Sequence, residues 1–315
     1  MSDESLAELG IQWKGSPRFW HQIPKSLLPS CDIRGYLSDA SGLLFTLKPI
    51  GPLGGGTFGS VDAFMCEEEG QKYKVAIKRP KHPNINLLTE ALFQWKLHND
   101  LKPYGLSFCI PKVNKIFTYK PTNDIWFSMT AYEPVLLSSW CIRNLRRDGK
   151  IFGLLILQMA LVLEVIEDIL KADHRDLKVN NILVIDEPID INVSLENVKK
   201  KITFPFRVVL IDFGFACIGT VLDVKREGEV VDFCPKEGRD MFQILVSIWR
   251  IDSLRSILDT VWGTWIRNKI GRYTDLTEKA KDLTWMYAVT DNTEFKAPLC
   301  SPNLIIKDCI RFLEC

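Results

Sequence analysis

The sequence predicts an α+β protein with a small β-rich lobe, a larger helical lobe and a cleft between them. Three observations support this prediction. Short β-rich runs dominate residues 45–133, long helical patterns dominate residues 134–315, and the change falls near residues 132–136. A chain of 315 residues suits one such two-lobed domain, and the boundary between its parts is the expected place for a ligand.

The β-rich part contains five runs of strand-forming residues, each bounded by Gly, Pro, Asn or charged turns. One helix is predicted among them over residues 85–101, where apolar residues recur at helical spacing. Residues 1–44 come before these strands and are expected to form an N-terminal extension. Its aromatic residues Trp13, Phe19 and Trp20 are expected to pack onto the chain's own domain, with docking of a partner as the alternative.

Two helices are predicted in the second part, over residues 151–170 and 240–249. The first is apolar almost all round, which is typical of a helix in the middle of a core. Its apolar run is interrupted by Gln158 and Glu164, so it does not predict a membrane span.

Composition and charge narrow the class of protein. Hydrophobic residues make up 46% and charged residues 25% of the chain, as in soluble globular proteins. The 40 basic residues are balanced by 39 acidic ones, so neither a nucleic-acid partner nor a membrane is expected. Nine cysteines occur singly, without a CxxC pair, and the amino terminus has no apolar core typical of a secretory signal. We therefore expect reduced thiols and an intracellular location, cytoplasmic or nuclear, while the oligomeric state stays open.

A glycine-rich turn and a lysine follow each other in the β-rich part. Gly54, Gly56 and Gly59 have G-x-G-x-x-G spacing and strands on both sides, where a dinucleotide-binding loop would lead into a helix. Glycines let a backbone approach phosphate oxygens closely. In the next strand, Ala76 and Lys78 of VAIK share one face, so Ala76 could touch an adenine while Lys78 reaches phosphates.

The strongest signal is HRDLKVNN at residues 174–181, which holds three functional groups in one short loop. Asp176 can orient an attacking hydroxyl, Lys178 can place a cation near a transferred phosphoryl group, and Asn181 can offer an amide oxygen to a metal. Further on, a hydrophobic strand ends at DFG, where the carboxylate of Asp212 suits Mg²⁺.

With these four motifs in this order, residues 53–249 resemble eukaryotic-type serine/threonine protein kinases. The resemblance implies transfer of phosphate from ATP, with Mg²⁺, to Ser or Thr hydroxyls of protein substrates. It implies that Asp176, Lys178 and Lys78 are catalytic and that Asn181 and Asp212 bind the metal. The residues implied to bind the nucleotide are Gly54, Gly56, Thr57, Phe58, Gly59, Val61, Ala76, Lys78 and Leu183.

The sequence departs from the family pattern at several places. Glu90, the expected carboxylate partner of Lys78, follows the lysine by only 12 residues, and either Met129 or Thr130 guards the back of the nucleotide pocket. Thirty residues separate Asn181 from Asp212, about twice the usual number, and are expected to form a charged surface hairpin.

The activation segment between Asp212 and Asp240 is short and contains no A-P-E motif. Thr220 is its only hydroxyl residue, and Glu227 and Glu229 could instead supply fixed negative charge for Arg175. Asp240 is expected to brace the catalytic loop or to cap its own helix. Two other functions stay open, a pseudokinase scaffold that binds nucleotide without transfer and a small-molecule kinase of related fold.

Overall fold

Residues 6–13, 15–56, 58–83, 85–133, 135–144, 149–195, 198–219, 222–224, 234–256, 258 and 260–314 are described by the computed structural model. The first part of the chain forms seven strands: β1 (Ser30–Cys31), β2 (Tyr36–Asp39), β3 (Gly42–Gly55), β4 (Gly59–Glu68), β5 (Gln71–Pro80), β6 (Val113–Tyr119) and β7 (Asp124–Thr130). They close into one barrel with the spatial order β1–β2–β3–β4–β5–β7–β6.

Strand β5 shows how the alternation of side chains divides the barrel from the site. Val75 and Ile77 belong to a cluster inside the barrel with Phe45 and Phe117. Ala76 and Lys78 point to the opposite face, where Ala76 joins the main core of the molecule. Over residues 75–78 both faces of β5 are therefore buried, and in this stretch only the face of Lys78 carries a charge.

Residues 1–44 do more than extend the chain, because they supply β1 and β2 to the barrel. Strand β1 pairs in parallel with β6 and antiparallel with β2, which closes the sheet. Trp20 is fully buried, with its ring 6.0 Å from the ring of Trp95, while Phe19 remains exposed. The expected packing of Trp20 onto the chain's own domain is therefore what the structure shows.

One helix, α1 (Leu88–Asp100), packs beside the barrel, close to the predicted residues 85–101. It begins soon after β5 ends at Pro80, with the backbone N–H of Leu88 donating to Asn86 Oδ1 at 3.0 Å. Its far side is covered by the N-terminal segment, where Glu8 accepts a hydrogen bond from Trp95 Nε1. Glu90 lies in the first turn of α1. Because the connection from β5 is short, this first turn is near the end of the strand.

The rest of the chain is mostly helical. Its helices are α2 (Leu137–Asn144), α3 (Gly149–Glu164), α4 (Arg239–Arg250), α5 (Asp252–Arg255), α6 (Thr260–Ile270), α7 (Thr274–Lys279), α8 (Thr284–Thr290) and α9 (Pro302–Glu314). A π-helical turn, Val165–Ile169, extends α3. The combined helix is long and apolar enough to span a membrane, but 72% of its most apolar window is buried, as in the core helix of a soluble protein.

Short strands connect these helices: β8 (Val135–Leu136), β9 (Ala172–Asp173), β10 (Ile182–Ile185), β11 (Ile189–Leu195), β12 (Val198–Phe204), β13 (Arg207–Leu210), β14 (Cys217–Ile218) and β15 (Leu222–Asp223). Strand β10 pairs with β13 and with β8, while β11 and β12 form the predicted hairpin between them. The hairpin is not wholly on the surface, since Phe204 and Ile191 at its base are buried in the main core.

A disulfide between Cys217 and Cys234 contradicts the expectation that all cysteines are reduced. Six other cysteines are free and buried in the described part of the chain. The lack of a CxxC pair does not exclude this bond, because that pattern detects only cysteines that are close in sequence. Here β14 pairs with β9, and the Sγ atoms of the two cysteines meet across 17 residues.

Reduction of this disulfide is expected to lower the free energy of unfolding by about 3 kcal/mol, the loop-entropy value for a closed loop of this size. The measurement is chemical unfolding of the parent with and without dithiothreitol, beside a Cys217→Ser/Cys234→Ser variant. The variant should match the reduced parent and be insensitive to the reductant. Equal stability in all samples would show that the bond contributes nothing.

Candidate active site

The glycine-rich turn between β3 and β4 lies directly over charged side chains. A Cβ atom on Gly56 would be 2.6 Å from Asp212 Oδ2, and one on Gly59 would be 3.0 Å from Lys78 Cε. No larger side chain fits at either position without a shift of the site. Gly54, in contrast, has open space around it, and Thr57 lies outside the described residues.

The tip of this turn also touches the segment that follows Asp212. The rings of Phe58 and Phe215 are 5.0 Å apart, and a Cβ atom on Gly214 would be 2.8 Å from the Phe58 ring. Phe213 is buried in the opposite direction, between Phe93 of α1 and His174. Phe213 therefore contacts the core below, while the next two residues contact the turn above.

Lys78 is the charged centre beneath the turn. Its Nζ is 2.5 Å from Glu90 Oε1 and 2.8 Å from Asp212 Oδ1, so one ammonium pairs with carboxylates from two distant parts of the chain. Burial by itself would lower the pKa of Lys78, but the charges of Glu90 and Asp212 outweigh it and raise the pKa. The lysine is therefore a cation at neutral pH, and the short connection before α1 does not prevent the expected contact with Glu90.

Asp212 stays ionised in this environment. Burial acts to raise its pKa, but the nearby ammonium of Lys78 lowers it below the ordinary value. The residue has a φ of 66°, in the left-handed region that few side chains other than glycine adopt. Arg175 has a φ of 65° in the HRDLKVNN loop, so strained backbone occurs at two points of the site.

Three residues of α4 hold the HRDLKVNN loop (residues 174–181) by its backbone. Asp240 accepts hydrogen bonds from the amides of His174 (2.7 Å) and Arg175 (2.9 Å). One turn later, Gln243 accepts a hydrogen bond from the Leu177 amide at 3.0 Å. Ser247 accepts one from the Val179 amide at 3.2 Å. Positions 240, 243 and 247 share one helix face, a spacing that could have identified Gln243 and Ser247 beside the predicted Asp240.

Within this loop, Asp176 is surrounded by hydrogen-bond donors. Lys178 Nζ is 2.9 Å from Asp176 Oδ1 and 3.1 Å from Oδ2, and Asn181 Nδ2 is 2.9 Å from Oδ2. A further donor is the hydroxyl of Tyr287 on α8, which the sequence patterns did not indicate. The three predicted residues of HRDLKVNN are thus brought together, and a fourth residue joins them from far along the chain.

Asn181 and Asp212 offer the oxygen ligands that suit Mg²⁺. Asn181 uses its amide nitrogen to bind Asp176, which leaves its amide oxygen as a possible ligand. The backbone N–H of Ile211 donates to the carbonyl of Asn181 at 3.0 Å. Asp212 therefore comes directly after a residue that is hydrogen-bonded to Asn181. An amide and a carboxylate oxygen fit a cation that keeps several waters and binds phosphates.

The residues expected around an adenine lie on three strands. Val61 on β4 and Ala76 on β5 are on neighbouring strands, and Leu183 lies on β10, which pairs with β8 beside the connection between the two parts. Met129 pairs with Ala76 across the sheet, and Gln94 of α1 donates to its sulfur at 3.4 Å. Met129 therefore faces the side of the sheet that Lys78 faces, while Thr130 pairs with Val75.

The structure describes only one of the residues discussed for regulation, Arg175. Thr220, Glu227 and Glu229 lie outside the described residues. Arg175 is buried, with its backbone amide bound by Asp240.

A family model described as poxvirus serine/threonine protein kinase matches residues 147–232. The matched stretch contains Asp176, Lys178, Asn181 and Asp212, and it ends before Asp240. The chain is thus similar to a kinase family over a part of its length, which includes the HRDLKVNN loop. A search of curated proteins found no match.

Proposed function

We propose that this protein is a serine/threonine protein kinase that uses ATP and Mg²⁺ and has the two-lobed fold of that family. The barrel with α1 would be the small lobe, residues 134–315 the large lobe, and the nucleotide would bind between them. The observation that carries the proposal is the convergence of Lys78 with Asp212 at 2.8 Å, beneath a glycine-rich turn. These groups are 134 residues apart in sequence, and phosphoryl transfer needs both of them at one place.

In this proposal the chain's own residues orient the reactants and move one proton. Backbone N–H groups of the turn and the Lys78 ammonium would hold phosphate oxygens. Asp176 would accept a hydrogen bond from the substrate hydroxyl and take its proton as oxygen bonds to phosphorus and ADP leaves. Lys178 would stabilise charge on the transferred group. Bound Mg²⁺, held by Asn181 and Asp212, would neutralise charge on the phosphates.

The metal dependence of nucleotide binding tests the proposal. At ATP concentrations about 100 times the Kd, binding should stabilise the fold by about 2.7 kcal/mol. We expect the corresponding rise in Tm with Mg²⁺ and ATP, and its loss in EDTA or in Asp212→Ala. Asp190→Ala, which removes an exposed carboxylate on the β11–β12 hairpin, should keep the full rise.

The same samples should transfer labelled phosphate from ATP to Ser or Thr residues of a mixture of basic proteins. Equal stabilisation with and without metal, together with absent transfer, would favour the pseudokinase. Transfer to small hydroxyl compounds but to no protein would favour the small-molecule kinase.

A further inference from the structure

Tyr287 contacts Asp176 and Lys178 of the HRDLKVNN loop. Its hydroxyl donates to Asp176 Oδ1, and Lys178 Nζ is 3.1 Å from the same hydroxyl oxygen. The Lys178 ammonium also lies 5.7 Å from the centre of the Tyr287 ring. Tyr287 and Asp176 are 111 residues apart in sequence, so the tyrosine reaches the site only because α8 packs against the loop.

Helix α8 is held in this position by a buried lysine. Lys236 Nζ donates to the carbonyl oxygens of residues 290, 291 and 292 at 3.0–3.1 Å, where α8 ends. Gln243, which already holds the catalytic loop, also donates to Thr290 Oγ1 at 3.1 Å. On the inner side of the helix, Met286 is fully buried. Gln243 of α4 therefore holds both the loop and the helix with Tyr287, and Lys236 before α4 holds the end of that helix.

The phenol remains protonated in this environment. Burial and the charge of Asp176 raise the pKa of Tyr287 to about 12. At neutral pH the hydroxyl therefore has a proton to donate to Asp176 and a lone pair for Lys178.

The hydrogen bonds around Asp176 indicate which donor can be exchanged. A carboxylate has about four acceptor positions, and here they face Tyr287 and Lys178 at Oδ1 and Lys178 and Asn181 at Oδ2. An incoming hydroxyl needs one of these positions. Lys178 can release its share because its ammonium can turn to a phosphate, whereas Tyr287 and Asn181 are fixed by the surrounding fold.

We propose that Tyr287 is a positioning residue for phosphoryl transfer, whose hydroxyl keeps Asp176 oriented when Lys178 turns to the phosphate. This inference rests on the proposed function and adds to it a residue outside all the kinase motifs of the sequence. Tyr287 acts through Asp176 and Lys178 and does not itself receive the phosphate.

The test is Tyr287→Phe in the full chain, which removes one hydroxyl and keeps the ring. Loss of one hydrogen bond to a charged group corresponds to an effect of about tenfold or more, so kcat should fall at least about tenfold while the KM for ATP stays within about twofold. Replacement of Tyr287 by 4-aminophenylalanine, which puts an N–H donor at the same reach, should restore most of kcat. Tyr273→Phe is the control, since its hydroxyl contacts only Arg272 among the described residues and should not affect the rate.

Thermal unfolding of each variant separates a positioning role from a structural one, because Tyr287→Phe should keep the Tm of the parent. An unchanged or increased kcat in Tyr287→Phe would overturn the inference, and an increase would mean that Tyr287 blocks the acceptor site. Phosphate found on Tyr287 by mass spectrometry after incubation with ATP would also overturn it. A parent that transfers no phosphate would contradict the proposed function itself, so the two failures are distinguishable.

Discussion

Lys78→Met is expected to slow phosphoryl transfer by about two to three orders of magnitude, the usual loss when one preorganised electrostatic donor is removed. The ammonium of Lys78 pairs with Glu90 and Asp212, and the residue is only 4% exposed. Methionine fills a similar volume without a charge. Phosphate oxygens would then lose their cation, and two carboxylates would lose the partner they share.

Single-turnover rates at saturating ATP and Mg²⁺ measure this effect. Lys74→Met is the matched control, since it lies on the same strand but pairs with Glu133, whose side chain is 88% exposed. It should react as fast as the parent. Because Lys78→Met leaves Glu90 buried without its counterion, a Lys78→Met/Glu90→Gln double variant should fold better and remain slow. A Lys78→Met protein as fast as the parent would refute the role of this lysine.

Asp176→Asn is expected to reduce the rate at least about 100-fold, because an amide of the same shape cannot take the proton of the substrate hydroxyl. The change also replaces one acceptor oxygen by an NH₂ group in a place where donors converge. Lys178, Asn181 and Tyr287 all direct hydrogen atoms at this carboxylate. The orientation of the side chain should therefore be disturbed as well.

Nucleotide binding should survive this substitution, which separates it from Asp212→Ala. We expect the ATP-induced rise in Tm to stay within error of the parent while the transfer rate falls. Asp186→Asn serves as a control, because Asp186 accepts a hydrogen bond from Trp140 away from the catalytic loop. If Asp176→Asn transfers phosphate at the parent rate, Asp176 does not receive the proton.

Features that depend on neighbouring residues in the sequence could be predicted well. The HRDLKVNN loop brings Asp176, Lys178 and Asn181 together because they are separated by a few residues only. The helix with Glu90 was predicted from its apolar spacing. Glu90 itself was found because it is the only acid between Lys78 and Asn99.

Contacts that depend on tertiary packing could not be predicted in this way. Tyr287 has no motif around it, and its place next to Asp176 results from how α8 docks on α4. The bond between Cys217 and Cys234 depends on the path of the segment between them. The sequence predicts an extension where β1 and β2 lie, because neither strand is long enough to show an alternating pattern.

Closure of the barrel through β1 and β6 has a consequence for the order in which the chain folds. The backbone amide of Thr118 donates to the carbonyl of Pro29, a contact between residues 89 positions apart. Such pairs form late, because the entropy of closing a long loop must be overcome before the contact contributes. Residues 6–30 also precede their partners in the chain, so during synthesis they leave the ribosome well before those partners do. Leu6, Leu9 and Trp20 are fully buried in the native state. We expect them to stay exposed until α1 and β6 have been made, which leaves apolar side chains open to chaperones or to aggregation.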